Sequence, residues 1–586
     1  MKEIQKLFKN LDKKDFLFMI ITSLFVLINV YFELKMPDYM SEITRLVETE
    51  GSEMNDIIHN GGFMLLCALG SMGSMIVASL FAAKVAADFS KNTRKALFDK
   101  VENLSIHEVK KFKTSSLVTR TTNDITQLQM LLAMGSVLLI KAPVTAIWAL
   151  IKILNKNVTW TIIVGAFVIV ILVILGTITS IVFPKFDVVQ KLTDRVNELT
   201  RENLIGIRVI RAFNAENYQE NKFNDTNDKL TKTQLFIQKM FSIMNPVMYL
   251  VMYGLTLFIY YFGANMINSA ALTNKLSIFS DMVVFSSYGM QVIMSFLMLA
   301  MIYTMIPRAR VSASRINEVL ETDISVKNGT KTIDDVKEHG TVEFKDVSFK
   351  YPDGQDYVIK DINFKVNKGE IVAFIGATGC GKTTLINLIP RLYDTSKGSV
   401  YVDGINVKDY NFYHLNNIVG YVPQKAIMFD GTVKSNISFG SCNKVIDDKK
   451  INEAIRVSQA EEFVSKMDKG INSHIARGGT NVSGGQKQRL SIARAVARDP
   501  EIYIFDDTFS ALDYKTDSEL RKELKKYTKG ATTLIVAQRI GTIMNADKII
   551  VIDNGKCVGM GTHKELMKTC EVYKQIALSQ LSKEEL

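Results

Sequence analysis

The chain has 586 residues, of which 47% are hydrophobic, and a formal net charge of +11. A chain of this length holds more than one domain, and its long apolar runs, which fall mostly in the first half, are not typical of an ordinary soluble protein. The positive charge does not indicate nucleic acid as a partner, because the basic residues gather beside the apolar runs and no basic-aromatic module accompanies them.

Six apolar stretches are each long enough to cross a hydrocarbon core, which takes about 20 helical residues. They are Phe16 to Leu34, Gly62 to Ala83, Leu131 to Leu154, Trp160 to Phe183, Pro246 to Met266 and Met282 to Met305. Lysines precede the first stretch and basic residues follow the second, whereas the loop between them is acidic. This pattern predicts a multi-pass protein of the cell membrane with both termini in the cytoplasm, whose first span is retained and not cleaved.

Two long cytoplasmic connections, Lys84 to Gln129 and Pro184 to Asn245, are polar and poor in glycine. We predict that the membrane helices continue through them, well past the membrane. Helices of this kind suit a machine whose moving parts are driven from inside, although a static stalk has the same pattern.

The later spans carry residues that are candidates for a cavity that accepts apolar guests. Methionines recur on one face of each of the last two helices, and they predict either a pliable wall for such guests or ordinary helix packing and lipid contact. Lys141 lies in the middle of the third span, where a cation is costly, so we expect it to face a wet cavity or a carboxylate. The candidate cavity residues are Lys141, Tyr288, Gln291, Met294, Ser295 and Met298.

From Thr341 onwards, short β-rich runs alternate with helical runs, which is typical of an α/β nucleotide-binding domain. An apolar strand from Ile371 leads into a G-x-x-x-x-G-K-T loop and then the helical run that begins at Leu385. Such a loop wraps phosphate with backbone N–H groups, its lysine reaches the β and γ phosphates, and its threonine binds Mg²⁺. A second apolar strand ends in Asp506, where Mg²⁺ requires a carboxylate. The predicted ATP contacts of the loop are Gly376, Ala377, Thr378, Gly379, Cys380, Gly381, Lys382, Thr383 and Thr384.

The other motifs of this half resemble those of the ATP-binding cassette (ABC) family, in that family's order and spacing. Tyr351 resembles the aromatic residue that stacks on adenine, and Gln424 resembles the glutamine that senses magnesium and contacts the membrane domain. Asp513, in the run Ser-Ala-Leu-Asp, resembles the loop that links two ATP sites across a dimer interface. The family's signature sequence is matched by Ser483, Gly484, Gly485 and Gln486.

The resemblance implies ATP and Mg²⁺ as cofactors, with Thr383, Gln424 and Asp506 near the ion. It also implies a dimer, because the signature sequence acts on ATP that the opposite cassette holds. Six spans before one cassette resemble the family's exporters, so we expect a membrane α-helical bundle fused to an α/β P-loop domain. The expected division is a transmembrane domain at 1–320, a linker at 321–340 and a nucleotide-binding domain at 341–586. By the same resemblance, short coupling helices near Leu104 to Phe112 and Ile210 to Tyr218 would dock on the cassettes.

Three positions depart from the family pattern. Asp507 stands where a glutamate usually polarises the attacking water, and a side chain one methylene shorter withdraws the carboxylate by about 1.5 Å. Gln538 stands where a histidine is usual, and glutamine cannot carry a proton or a positive charge. Arg477 stands at a usually acidic position.

Two changes in one site, beside an intact loop and an intact signature, resemble the degenerate half of a heterodimeric bacterial multidrug exporter. The partner would carry the competent glutamate and histidine. The alternatives are a regulatory subunit that binds ATP without turnover, and a homodimeric exporter of lipid or peptide. Hydrophobic or amphipathic compounds are the expected substrates, and membrane lipid is an expected neighbour.

The cysteines Cys67, Cys380, Cys442, Cys557 and Cys570 are scattered, as are the histidines. Neither a disulfide framework nor a zinc site is therefore indicated. Reduced thiols that face the cytosol are expected.

Overall fold

The computed structural model describes residues 2–49, 51–154, 158–336, 338–440 and 445–581. Its contacts divide the chain into two compact units. The membrane unit comprises Met1–Glu102 and Thr114–Thr322, and the cassette unit comprises Asn103–Lys113 and Asp323–Leu586. The cassette unit thus includes a short segment that lies between the second and third membrane helices in the sequence.

The described residues of the membrane unit form helices and the short turns that join them. Six helices in the described part of the chain are long and apolar enough to cross a membrane, and each predicted span lies within one of them, so the predicted six-span bundle is confirmed. The α-helices of this unit are α1 (Lys2–Leu7), α2 (Lys13–Glu48), α3 (Met54–Asn103), α5 (Thr114–Thr119), α6 (Ile125–Leu154), α7 (Val158–Ala212), α8 (Glu216–Ser269) and α9 (Leu272–Leu320), while α4 (Ile106–Phe112) belongs to the cassette unit.

The long extensions of α3, α7, α8 and α9 confirm that the helices continue past the predicted spans. The predicted short helix near Ile210 to Tyr218 is wrong, because α7 ends at Ala212 and α8 begins at Glu216. Asn214 between them has φ 51°, a left-handed conformation that ends a helix. Phe213 and Tyr218 at this turn are 78% and 70% exposed, so apolar surface is available there.

A π-helical turn, Arg120–Asp124, precedes α6. Buried Arg120 forms an ion pair of 2.8 Å with Glu318 of α9. Buried Asp124 accepts a hydrogen bond of 3.0 Å from Ser312 of the same helix. Because π-turns are rare and have weaker backbone geometry, these two contacts with α9 help to stabilise the turn.

The cassette unit combines three sheets with surrounding helices. Its strands are β1 (Val342–Phe349), β2 (Ile359–Val366), β3 (Ile371–Ile375), β4 (Lys397–Val402), β5 (Ile405–Asn406), β6 (Val419–Val422), β7 (Gly431–Thr432), β8 (His474–Ile475), β9 (Ile502–Asp506), β10 (Thr532–Val536), β11 (Lys548–Asp553) and β12 (Lys556–Gly561). Its further helices are α10 (Lys382–Ile386), α11 (Phe412–Ile418), α12 (Val433–Ile437), α13 (Asp448–Val457), α14 (Glu461–Ser465), α15 (Gly484–Arg498), α16 (Tyr514–Tyr527), α17 (Ile540–Ile543), α18 (His563–Thr569) and α19 (Glu571–Gln580).

The largest sheet has the strand order β12-β11-β3-β10-β9-β6. Its strands from β11 to β6 are parallel, and β12 pairs antiparallel at one edge. The strands β3 and β9 are apolar and buried almost throughout, as expected of central parallel strands covered on both faces. Their carboxyl ends therefore bring the phosphate-binding loop and Asp506 to the same edge of the sheet.

The helix α4 packs on the cassette, which confirms the first predicted coupling helix. Ile106 packs against the core formed by β1 and β2. Lys110 lies 3.4 Å from the Tyr393 hydroxyl, and His107 lies 3.7 Å from the Asp353 carboxylate. Both apolar and polar contacts thus attach this segment to the cassette.

Candidate functional site

The phosphate-binding loop lies between the buried strand β3 and the short helix α10. Gly381 caps α10 with φ 103°, and Gly376 has φ 156°. A Cβ atom at Gly376 would overlap the carbonyl oxygen of Ile552, so only glycine lets the loop pass β11 at this distance. The loop therefore has the close backbone approach that a cradle for phosphate requires.

Lys382 is buried within this loop. Its Nζ donates hydrogen bonds of 2.8 Å to the Gly376 carbonyl and 2.9 Å to the Ala377 carbonyl. The ammonium group is therefore held at the loop by two weak acceptors that a phosphate oxygen can replace. Tyr351, the predicted adenine contact, shares a hydrogen bond of 2.9 Å with Thr384, which connects the aromatic residue to the same loop.

Two of the three predicted magnesium ligands, Thr383 and Asp506, lie together near the carboxyl ends of β3 and β9, whereas Gln424 bonds to Asp507. Thr383 Oγ1 donates a hydrogen bond of 3.0 Å to Asp506 Oδ1. Asp506 is only 1% exposed, and burial, together with the charge of Asp507, raises the pKa of its carboxyl group. Two oxygen ligands at this spacing fit Mg²⁺, which keeps several waters and bridges to phosphate oxygens. When Mg²⁺ is bound together with ATP, it neutralises part of the negative charge of the phosphates.

Tyr421 is a site residue that the sequence reasoning missed. Its buried hydroxyl donates to Asn387 Oδ1 at 3.1 Å and lies 3.5 Å from Asp506 Oδ2. The available signal was its place in the same Tyr-Val-Pro-Gln run that contains Gln424. Tyr421 therefore helps to orient the carboxylate that would face magnesium.

Asp507 accepts two amide hydrogen bonds on one carboxylate oxygen. Gln424 Nε2 donates to Asp507 Oδ2 at 3.0 Å, and Gln538 Nε2 donates to the same oxygen at 2.7 Å. The Asp507 backbone has φ 47°, and the residue is 8% exposed. The structure therefore brings Gln424, Asp507 and Gln538 together, and the last two of these depart from the family pattern.

The signature residues lie on a different helix. Ser483 caps the start of α15, where its hydroxyl accepts from the Gln486 N–H at 3.3 Å and its own N–H donates to Gln486 Oε1 at 2.9 Å. Ser483 and Gly484 are exposed, so the N-terminus of a 15-residue helix faces solvent. A helix N-terminus of this kind favours an anion.

The interface loop connects the signature helix with the Asp507 region. A Cβ atom at Gly485 would lie 3.5 Å from the Ala511 carbonyl oxygen, and Ser510 Oγ donates to the Asp507 carbonyl at 2.9 Å. Asp513 caps α16 by accepting from the Thr516 N–H at 3.0 Å, and this hydrogen bond lowers the pKa of Asp513. The loop is therefore held at both ends within this chain.

In the membrane unit, Lys141 pairs with Glu33 of α2, and the two charged groups lie 2.9 Å apart. Of the two alternatives for this cation, a wet cavity or a carboxylate, the structure supplies the carboxylate within the same chain. Tyr288 is 1% exposed and donates hydrogen bonds to the Leu34 carbonyl at 3.0 Å and to Asp38 at 2.7 Å. Both residues therefore connect α2 to other spans.

The remaining candidate cavity residues lie on α9 in different surroundings. Ser295 is 2% exposed and bonds to the Gln291 carbonyl within the helix. Gln291 lines a small pocket of about 200 Å³ beside Glu33. Met294 is exposed and Met298 is half-buried. Among the methionines that recur along α8, Met248 is buried in the core of the membrane helices, and Met244 and Met252 pack against that core.

The membrane unit contains a larger cavity of about 1270 Å³, formed by α6, α7, α8 and α9. None of the six predicted cavity residues is among those that line it. Its lining is apolar where the helices belong to the spans, with Leu175, Phe183 and Phe296 as examples. It is polar or charged where they extend beyond the spans, as at Gln190 and Arg308.

Free thiols are found at Cys67, Cys380, Cys557 and Cys570, which agrees with the expected reduced state. Cys442 lies outside the described residues. Arg477 lies in a short 3₁₀ turn before the signature, and nothing in its surroundings explains the departure from an acidic residue.

Three features of the site define the class of protein. A strand leads through a phosphate loop into a helix, a threonine pairs with an aspartate, and a signature helix is present. Together they define a P-loop nucleotide-binding cassette attached to a membrane bundle. The chain matches the description "ABC transporter" over residues 359–510 and "ABC transporter transmembrane region" over residues 16–316. The chain belongs to the ABC transporter family.

Similar proteins align with most of the length of this chain. An uncharacterized ABC transporter ATP-binding protein of Mycobacterium bovis is 36% identical over 525 residues, which are 89% of this chain and 87% of that protein. An ATP-dependent lipid A-core flippase of Pseudomonas fluorescens is 29% identical over 504 residues, which are 86% of this chain and 82% of that protein. Both relatives are bacterial.

A solved bacterial Atm1-family ABC exporter with ATP bound has the same fold, with a TM-score of 0.81 over 97% of this chain and 100% of that chain at 20% identity. The protein is therefore a membrane-embedded, multi-pass ABC exporter half-transporter, in which a transmembrane region precedes an ABC ATPase domain. In this family ATP hydrolysis is coupled to transport, and the exporters act as dimers.

Proposed function

We propose that this chain is one subunit of a heterodimeric exporter in the cell membrane, that it holds ATP in a slow site, and that it completes the competent site of its partner. The observation that carries the proposal is the Asp507 carboxylate, whose Oδ2 accepts hydrogen bonds from both Gln424 and Gln538. The proposed ATP contacts are those of the phosphate loop and Tyr351, and the proposed Mg²⁺ ligands are Thr383, Gln424 and Asp506.

Asp507 is a poor general base in this arrangement for two reasons. Its side chain is shorter than glutamate by one methylene, or about 1.5 Å, and misplacement on the scale of 1 Å costs about a hundredfold in rate. Two amide donors also occupy the Oδ2 atom of the carboxylate, so a water molecule would have to compete with Gln424 and Gln538 for that oxygen. Gln538 can donate a hydrogen bond to phosphate but cannot carry positive charge there.

The signature sequence retains every feature that the partner's ATP would need. The N-terminus of α15 is exposed, and its serine and glycines are present. The glutamate and the histidine for that second site would come from the partner subunit. Bound ATP in the slow site would then favour the closed state of the cassettes, while turnover at the second site drives opening.

The substrate class we propose is hydrophobic or amphipathic compounds. The cavity of about 1270 Å³ is large enough for such molecules, and it changes from an apolar to a polar lining along the helices. An amphipathic guest would place its apolar part among residues such as Phe183 and Phe296 and its polar part near Gln190 or Arg308. Gln291 and Met294 remain proposed substrate contacts on the neighbouring surface of α9.

Export of lipid is the second candidate. The observation that favours it is the similarity to a protein described as an ATP-dependent lipid A-core flippase, which extends over 86% of this chain. In that case the chain could form a homodimer with two weak sites. A third candidate, a regulatory subunit without turnover, differs from the first only in whether Asp507 and Gln538 leave measurable hydrolysis.

The test is ATPase activity of the purified chain in lipid, alone and after co-expression with the neighbouring transporter gene. The Asp507→Ala variant is measured in each preparation, with Asp468→Ala, an exposed carboxylate, as the matched control. We expect activity only with the partner, and we expect it to survive Asp507→Ala. Brisk turnover by the chain alone that Asp507→Ala abolishes would instead make the protein a self-sufficient homodimer.

A further inference from the structure

A second cluster of ligand atoms lies in the cassette, away from the residues described above. It comprises His339 just before β1, Asp403 in the turn between β4 and β5, and Glu501 just before β9. The ligand atoms of these three residues all lie within 4.8 Å of one another. His339 Nδ1 and Glu501 Oε2 are 3.1 Å apart.

Asp403 is the observation that distinguishes this cluster from an ordinary surface group of charges. The residue is only 1% exposed. Its Oδ1 accepts a hydrogen bond of 2.8 Å from the Thr341 N–H, but its Oδ2 has no hydrogen-bond partner among the described residues. Buried carboxylate oxygens are normally satisfied, because an unpaired one costs free energy. A group that binds at the cluster would satisfy this oxygen.

Burial also leaves the Asp403 charge poorly compensated. The pKa of its carboxyl group rises to about 6, mainly through desolvation and partly through the nearby charge of Glu501. The backbone N–H groups of Thr341 and Gly340 and the nearby His339 lower this pKa only in part. A bound cation would offset both the burial and the repulsion between the two carboxylates.

We propose that His339, Asp403 and Glu501 form a binding site for a divalent transition-metal ion, with Zn²⁺ as the ion that fits best. Zinc binds histidine nitrogen and carboxylate oxygen at about 2.0–2.2 Å, so two ligands in a tetrahedral site lie about 3.3 Å apart. His339 Nδ1 and Glu501 Oε2 share a hydrogen bond of 3.1 Å, so these two ligand atoms already lie close to the spacing that an arriving ion would need. Three protein ligands leave a fourth position for water.

The ligand set also distinguishes this ion from the magnesium of the ATP site. Mg²⁺ and Ca²⁺ prefer oxygen ligands, whereas a mixed set of imidazole and carboxylates suits zinc and related ions. Glu501 precedes β9 and Asp506 ends it, so the two sites lie at opposite ends of one strand, about 17 Å apart. Each ion can therefore be measured in the absence of the other.

The His339 and Glu501 side chains provide access from solvent, since they are 48% and 34% exposed. Asp403 is held by the Thr341 backbone, because the Thr341 N–H donates to the Asp403 side chain and the Asp403 N–H donates to the Thr341 carbonyl. The buried ligand is thus fixed in place, and the two outer ligands can close on an arriving ion.

The test is zinc binding by the full chain in detergent or lipid, without nucleotide, measured by equilibrium dialysis against ZnCl₂. The variants are His339→Ala, Asp403→Asn and Glu501→Gln. His474→Ala is the matched control, because His474 also pairs with a carboxylate, Asp430, but both side chains are about 70% exposed. We expect one tight zinc ion per chain in the wild type and in His474→Ala, and an affinity weaker by at least about tenfold in each of the three variants.

X-ray absorption at the zinc edge separates this site from binding by thiols. We expect nitrogen and oxygen ligands, and a spectrum with sulfur ligands would overturn the proposal. Equal zinc affinity in the wild type and all three variants would overturn it as well. Should Asp403→Asn fail to fold, His339→Ala and Glu501→Gln decide the matter, because those side chains are partly exposed. The readout is metal binding and not ATPase activity, so it is independent of the proposed heterodimer.

Discussion

Two parts of the same cassette are the proposed contacts with ATP, and they differ in how well they retain the family pattern. The phosphate loop ends beside Asp507 and Gln538, both of which depart from that pattern. The signature helix α15 begins with an unaltered Ser-Gly-Gly-Gln run and an exposed N-terminus. In the proposed dimer these two parts would serve different ATP molecules.

The difference suggests where the proposed heterodimer divides its work: the departures would affect the cleavage of ATP and leave its binding intact. Lys382, Thr383 and Asp506 retain the geometry for phosphate and magnesium. Asp507 and Gln538, in contrast, bond to each other at 2.7 Å. A site changed in this way can keep ATP bound while it turns over slowly, which is the property that the proposed heterodimer needs.

The largest effect should come from the signature. We expect Gly485→Asp to lower ATPase activity of the assembled transporter by about 10²–10³-fold, because a carboxylate at the start of α15 repels phosphate and removes an anion site. Nucleotide binding to this chain's own phosphate loop should remain. Gly485→Ala is the control, since its added Cβ would make an ordinary contact of 3.5 Å with the Ala511 carbonyl. Equal loss in both variants would point to misfolding of the helix.

Restoring the family residues tests the other part of the comparison. We expect the double variant Asp507→Glu with Gln538→His to raise ATP cleavage at this chain's site by about a hundredfold, because the carboxylate regains its reach and the amide is replaced by a group that can carry a proton. Single-turnover cleavage of ATP in the co-expressed complex measures this gain. No gain in the double variant would mean that the slow chemistry has another cause.

The binding function of the slow site depends on Lys382. Its removal in Lys382→Ala should weaken ATP affinity by about tenfold or more, the loss expected for one charge-assisted hydrogen bond. Isothermal titration with ATP measures the change. Lys466→Ala, an exposed lysine paired with Glu462, should bind ATP as the wild type does. An unchanged affinity in Lys382→Ala would contradict the proposed ATP clamp.

The smallest effect should come from Tyr421. Loss of its hydroxyl in Tyr421→Phe removes the bond to Asn387 and the contact with Asp506, at a cost of about 0.5–1.5 kcal/mol. We expect weaker binding of ATP in the presence of Mg²⁺ by a few fold, with little change when Mg²⁺ is absent. An equal change in both conditions would assign Tyr421 to packing and not to the orientation of the magnesium ligand.

Much of the fold could be predicted from local signals. The six spans, the buried strands β3 and β9 and the helix α4 are all found, because hydrophobic length and turn residues act over short distances. The short helix predicted near Ile210 was not found, since helices α7 and α8 meet there at a turn through Asn214. The point where a helix ends is decided by such a capping residue, and the periodicity of the apolar residues does not predict it.

The sequence by itself determined that the chain is an ABC exporter half-transporter and that Asp507 and Gln538 depart from the family pattern, because those conclusions depend on residue identity within contiguous motifs. Tertiary structure alone decided which partners those residues have. Gln424 and Gln538 meet at Asp507, and Glu33 meets Lys141, although each pair is far apart in the sequence. The proposed zinc site was not indicated by the scattered histidines for the same reason: His339, Asp403 and Glu501 belong to three separate segments, and only the packing of the sheets brings their ligand atoms together.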